Sequence, residues 1–154
     1  MRGLLDTSVF IAAESGRPLD AARIPEETAV SVITVAELQA GVLAAADVEV
    51  RARRLATLQS LADIELIDID EHAALMWARM RVHLAESGRR LDANDLWIAA
   101  VAAARGLPVV TQDDDFGAGR GDRWPVRHPD VTDDGLIGLY TGGASTTSDL
   151  TRRC

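Results

Sequence analysis

Four short apolar runs, with longer stretches of helical spacing between them, restrict this chain to folds that alternate strands with helices. The runs are residues 2–6 (RGLLD), 28–33 (TAVSVI), 64–69 (IELIDI) and 109–111 (VVT), all shorter than a helix needs. Residues 7–14 (TSVFIAAE) are expected to form a helix from Thr7 or Ser8, since either hydroxyl can cap it. Gly16, Pro18 and Pro25 make residues 15–25 a loop or a broken helix. Thr34 is placed to cap an alanine-rich helix that runs to about residue 46. Residues 48–62 carry Leu55, Leu58 and Leu61, with Val48 and Ala62, at amphipathic spacing. Residues 70–86 align Ala73, Met76, Trp77, Met80 and Leu84 in one stripe, and residues 92–105 form a helix stopped by Gly106 and Pro108.

Strands that alternate with helices pair in parallel, because each helix carries the chain back across the sheet and covers one of its faces. The expected fold is α/β, with three α/β/α layers around a central, mostly parallel sheet of four to five strands. Residues 117–129 are rich in glycine, arginine and proline and lose the pattern, so the last strand is sought within 131–140. The 154 residues suit one domain, expected over 1–140. Residues 141–154, rich in glycine, serine and threonine, read as a flexible tail.

Composition narrows the chemistry by exclusion. All 16 basic residues are arginine, which removes the lysine-dependent P-loop and Schiff-base mechanisms. The single cysteine, Cys154, excludes an internal disulfide framework. No apolar run approaches the roughly 20 residues of a membrane span, and Asp6 interrupts the first one too early for a signal peptide. A cytoplasmic protein without membrane contact is expected. The net charge of −8 opposes non-specific nucleic-acid binding unless bound metal and local arginines offset it.

In open α/β sheets, ligands bind beyond the carboxyl ends of the strands. Asp6 closes the first strand there, and Asp113 and Asp115 follow the fourth. Glu37 lies one turn inside the helix that leaves the second strand, and Asp95 lies in the first turn of its own helix. Such carboxylates repel one another unless a cation sits among them, and a hard divalent ion is the cation that oxygen ligands favour. Metal-assisted phosphodiester hydrolysis is the natural reaction of such a site. Each acid also has a plainer role. Asp95 and Asp92 fit a cap and its first-turn partner, Glu37 fits a solvated helix face, and Asp113–Asp115 fits a polar turn. Asp6 is the hardest to explain away, because an acid that ends a buried strand is costly without a partner.

The ordered segments LLDTSVFIA, TVAEL, NDLWIAA and VVTQDDDF resemble the successive motifs of PIN-domain toxins of the VapC type, across residues 2–116. The resemblance implies a parallel sheet flanked by helices and an endoribonuclease dependent on Mg2+ or Mn2+. It makes Asp6 and Asp95 the main metal ligands, Glu37 the third acid, and Asp113 the fourth, with Asp115 an equal alternative as a ligand. Ser8 and Thr111 match hydroxyl positions that line the site, while Asp92 keeps its capping role. It also implies an RNA substrate, structured transfer or ribosomal RNA among the candidates, a cognate VapB-type antitoxin that blocks the acidic groove, and a homodimer. A PIN-like scaffold that binds RNA or protein without cutting is the alternative.

Other folds fit less well. A receiver-like or phosphatase-like domain needs a late lysine, and a dinucleotide-binding domain needs glycines where this chain has DTSVF. His72, His83 and His128 lack metal-ligand spacing. Arginines cluster at 51, 53 and 54, at 79 and 81, at 89 and 90, and at 120, 123 and 127. Any of these can hold phosphate, although interspersed charges on helices are mostly a solvated face. Trp77 and Trp97 are expected in the core, and Trp124 lies in a loop.

Overall fold

The computed structural model describes residues 2–19, 22, 24–112 and the backbone of Val126 and Arg127. Strands β1 (Arg2–Leu5), β2 (Glu27–Ser31), β3 (Glu65–Ile67), β4 (Val109–Val110) and β5 (Val126–Arg127) form one sheet in the order β3-β2-β1-β4-β5. Every pairing is parallel. The helices are α1 (Thr7–Glu14), α2 (Val32–Ala44), α3 (Val48–Gln59), α4 (Glu71–Glu86) and α5 (Ala93–Ala104).

Successive side chains of a strand point to opposite faces, and this divides the core in two. Leu4, Ala29 and Val109 meet Met80, Leu84, Ile98 and Val101 from α4 and α5. Their neighbours Leu5, Val30 and Val110 meet Val9, Phe10 and Leu38 from α1 and α2. The expected three-layer α/β/α arrangement is present. Both faces of β1, β2 and β4 are covered, so these strands read as continuous apolar runs rather than alternating ones.

The structure moves several expected boundaries. Asp6, rather than Thr7 or Ser8, caps α1. Ser31, rather than Thr34, caps α2, its hydroxyl accepting the Thr34 amide at 3.2 Å. Val32 and Ile33, read as strand for their branched side chains, form the first turn of α2. Ile33 packs there on the α4–α5 core, and that packing overrides its intrinsic preference. β3 is three residues long, not six, because β2, its partner among the described residues, pairs with it over Ala29–Ser31. The fifth strand is Val126–Arg127, inside the stretch read as patternless; two residues display no period. The candidate strand at 131–140 and the tail at 141–154 lie outside the described residues.

Helix α3 departs most from its expected amphipathic packing. None of its residues is fully buried, and Val48 and Leu55 are 76% and 41% exposed. Ala62 is exposed too, while Leu58 and Leu61 do pack against the α1–α2 core. Polar bonds complete the attachment. Arg51 donates through Nε and Nη2 to the Ala45 carbonyl at 3.1 and 2.7 Å, and Arg54 Nη1 donates to the Gly41 carbonyl at 2.6 Å. These carbonyls belong to the end of α2, where the helix itself offers no donors. Thr57 Oγ1 donates to Glu14 Oε2 of α1 at 3.1 Å.

On the opposite layer, Trp77 of α4 stacks on Trp97 of α5 with centroids 5.1 Å apart, half-buried at the rim of the core. Asp70 caps α4 by accepting the Ala73 amide at 2.8 Å, and Arg105 at the end of α5 pairs with it at 2.9 Å. The Ala73 amide, assisted by the Arg105 charge, holds the Asp70 carboxyl below the usual aspartate range. A depressed carboxyl contributes stability above its unfolded pKa and loses that contribution as pH falls through its folded value. Asp70→Ala is therefore expected to be less stable than the parent at pH 7 in urea melts, and the difference to shrink as pH falls below the roughly 3.9 of a free aspartate.

Gly3 permits the close packing of β1. A Cβ built there lies 2.8 Å from Pro25 Cγ and 3.1 Å from Val110 Cγ2. Gly3→Ala is expected to destabilise the fold by about 1–3 kcal/mol, the usual range for overpacking, measured by urea denaturation.

Candidate active site

The β1–β4 register decides where the first acid stands. Leu5 lies opposite Val110, and the next amide, Asp6 N, donates to the Val110 carbonyl at 2.9 Å. Asp6 and Thr111 thus leave neighbouring strands side by side at the carboxyl edge. Asp6 is only 3% exposed. Its Oδ2 accepts from Ser8 N at 3.2 Å, Ser8 Oγ at 2.6 Å and Thr111 Oγ1 at 2.9 Å. Ser8 Oγ lies 3.0 Å from Thr111 Oγ1 and accepts the Gln112 amide at 2.9 Å. Asp6 is thereby both the cap of α1 and the centre of a network of neutral donors. Among the described residues, no donor reaches its Oδ1.

The second acid, Glu37, is half-buried on α2. Thr7 Oγ1 donates to its Oε2, and Asn94 Nδ2 donates to its Oε1 at 2.9 Å. Thr7 follows Asp6, and Asn94 precedes Asp95 in the first turn of α5, so Glu37 ties the two acid-bearing segments together. Asp95 is half-buried. Asp92 caps α5 as expected, accepting the Asn94 amide at 2.9 Å.

Thr7 and Asn94 were missed as site residues. Each adjoins a motif acid, but their bonds join positions 30 and 57 residues apart, and nothing in a linear pattern marks them. Asp113 and Asp115 lie outside the described residues. Among the described residues, no three acids, histidines or cysteines are grouped so as to hold an ion. Asp6 and Glu37 are bridged through consecutive residues of α1, Ser8 bonding the first and Thr7 the second.

The electrostatics of the pair are one-sided. Among the described residues no arginine pairs with Asp6 or Glu37; arginines pair instead at Arg2–Glu65, Arg54–Glu14 and Arg105–Asp70, among others. Gln112 Nε2, one residue beyond Thr111, is buried without a partner among the described residues, an arrangement native proteins rarely leave unexplained.

Residues 3–120 match the PIN domain family. The chain is a PIN domain. It is 67% identical over 116 residues to Ribonuclease VapC5 of Mycobacterium tuberculosis, an alignment covering 75% of this chain and 86% of that protein. Ribonuclease VapC4 of the same organism is 44% identical over 118 residues, covering 76% of this chain and 90% of that protein. A crystal structure of VapBC-5, a member of the VapBC family of toxin–antitoxin systems from M. tuberculosis, superposes with a TM-score of 0.75 at 59% identity. That superposition covers 84% of this chain and 98% of the chain compared. The VapC-type resemblance carried by the four motifs is therefore correct.

The oxygen-only donors of this PIN domain suit a hard divalent ion. Asp6 brings a buried negative charge held by hydroxyl and amide groups that leave that charge uncancelled. Two arginines singled out as phosphate contacts, Arg51 and Arg54, are engaged with the α2 carbonyls instead. Arg53, Arg79, Arg81 and Arg90 are exposed, and Arg120, Arg123 and the Arg127 side chain lie outside the described residues.

Thr111→Val keeps the shape of the side chain and removes one donor from the buried Asp6 carboxylate. It is expected to lower stability by about 1–3 kcal/mol, the range for an under-satisfied buried acceptor, read from denaturant unfolding of the metal-free protein.

Proposed function

We propose that this PIN domain is an endoribonuclease dependent on Mg2+ or Mn2+, acting as the toxin of a toxin–antitoxin pair. The observation that carries the reading is the buried Asp6 at the carboxyl edge of the sheet, held among the described residues by neutral donors and linked through Thr7 to Glu37. Relatives named ribonuclease, which the chain matches over most of their length, supply the substrate class.

Asp6 and Asp95 would hold the ion, Glu37 would orient water or a second ion, and Asp113 or Asp115 would complete the set. Bound there, a divalent ion lowers the pKa of water and neutralises charge developing on the phosphate. The chain's own contribution is preorganisation. Ser8 and Thr111 fix the Asp6 carboxylate, so little reorientation is needed when substrate arrives. Glu37, gripped at both oxygens, is held as an acceptor of fixed orientation. The partner is a VapB-type antitoxin, by analogy with the VapBC-5 complex, and a homodimer is expected. Leu43 and Val48, 74% and 76% exposed where α2 gives way to α3, offer apolar surface for such contacts. Among the described residues no helix is long and apolar enough to cross a membrane.

The purified chain, freed of antitoxin, is expected to cut transfer or ribosomal RNA with added magnesium or manganese and to stop with a chelator. Asp6→Asn and Asp95→Asn are each expected to lower kcat by about a hundred-fold or more, the scale of losing a catalytic electrostatic contact. Cleavage indifferent to chelator and to both substitutions would refute the reading. Tight RNA binding without any cutting would instead assign the chain to the scaffold class.

A further inference from the structure

Thr7 and Asn94 share a property that their local roles leave unused. Helix α1 is already capped by Asp6 and helix α5 by Asp92, so neither side chain is needed by its own helix. Both are turned instead onto one carboxylate of a third helix, Thr7 on Oε2 and Asn94 on Oε1 of Glu37. One donor on each oxygen fixes the rotation of the carboxylate as well as its position. Both donors are neutral, and a neutral donor leaves the charge of Glu37 available where a guanidinium would cancel it. Because Thr7 adjoins Asp6 and Asn94 adjoins Asp95, the same two bonds hold the starts of α1 and α5 against α2.

We infer that Thr7 and Asn94 are positioning residues of the site, which act through Glu37 to hold its carboxylate and the two acid-bearing helix starts in fixed relation. The inference rests on the nuclease reading for its catalytic consequence, and on geometry alone for its effect on cation binding.

The test uses the full chain, with Mn2+ titrated in the absence of RNA and followed by electron paramagnetic resonance. Thermal melts and RNA cleavage are measured in parallel. Thr7→Val and Asn94→Leu remove the donors at nearly constant shape; Thr7→Ser keeps the hydroxyl and serves as the rescue. Thr7→Val and Asn94→Leu are each expected to weaken Mn2+ binding about ten-fold, the scale of one hydrogen bond to a charged group. They should lower kcat with KM for RNA unchanged, while Thr7→Ser stays within about two-fold of the parent. In a Glu37→Gln background neither substitution should add a further loss, as expected of residues that act through one group.

Parent-level Mn2+ binding and kcat in folded Thr7→Val and Asn94→Leu would overturn the inference, as would losses that persist in full in the Glu37→Gln background. If a variant melts below the assay temperature, the comparison passes to Thr7→Ala and Asn94→Ala, judged by the same criteria. A parent chain that binds Mn2+ but cuts no RNA would sink the nuclease reading and leave this inference to the titration. A parent that binds no Mn2+ would sink this inference.

Discussion

The hydrogen bond from the Asp6 amide to the Val110 carbonyl is the joint on which the rest of the site depends. It is the last rung between β1 and β4, and a parallel register allows no adjustment of one residue without turning every side chain to the opposite face. Leu4 and Leu5 are committed to different cores, so the register is enforced by apolar packing on both sides at once. Once it is set, Asp6 and Thr111 emerge together at the edge, and the hydroxyl of one strand meets the carboxylate of the other. The hydrophobic core thus determines the spacing of the polar groups beyond its border.

Charge follows a similar division of labour. The arginines seen in ion pairs serve to fasten elements: Arg2 to β3, Arg54 to α1 and Arg105 to the start of α4. The two acids at the sheet edge are held by hydroxyls, amides and a carboxamide. A guanidinium at either place would satisfy the buried carboxylate and also abolish its attraction for a cation. Neutral donors meet the first requirement and leave the second intact.

The fold was largely legible because its signal is repeated. Four apolar runs and the helices between them each vote for the same architecture, and small errors at the ends do not change it. Those errors have local causes. Ser31 and Asp6 took the capping roles assigned to their neighbours because a cap is chosen by where the strand stops, which depends on the partner strand. Helix α3 misled because leucine spacing reports an amphipathic face but not how deeply that face is buried. At the site, Asp6 could be read from its place at a strand end, and Ser8 and Thr111 from the motifs they share with the resembled family. Thr7 and Asn94 could not, since a bond between two distant helices leaves no periodic trace.

The seam between α2 and α3 carries one more implication. Its bonds run from guanidinium groups to backbone carbonyls. The acceptors are main-chain atoms of Gly41 and Ala45, which are present whatever side chain occupies those positions. The outer layer can therefore vary on the acceptor side while its fastening stays the same.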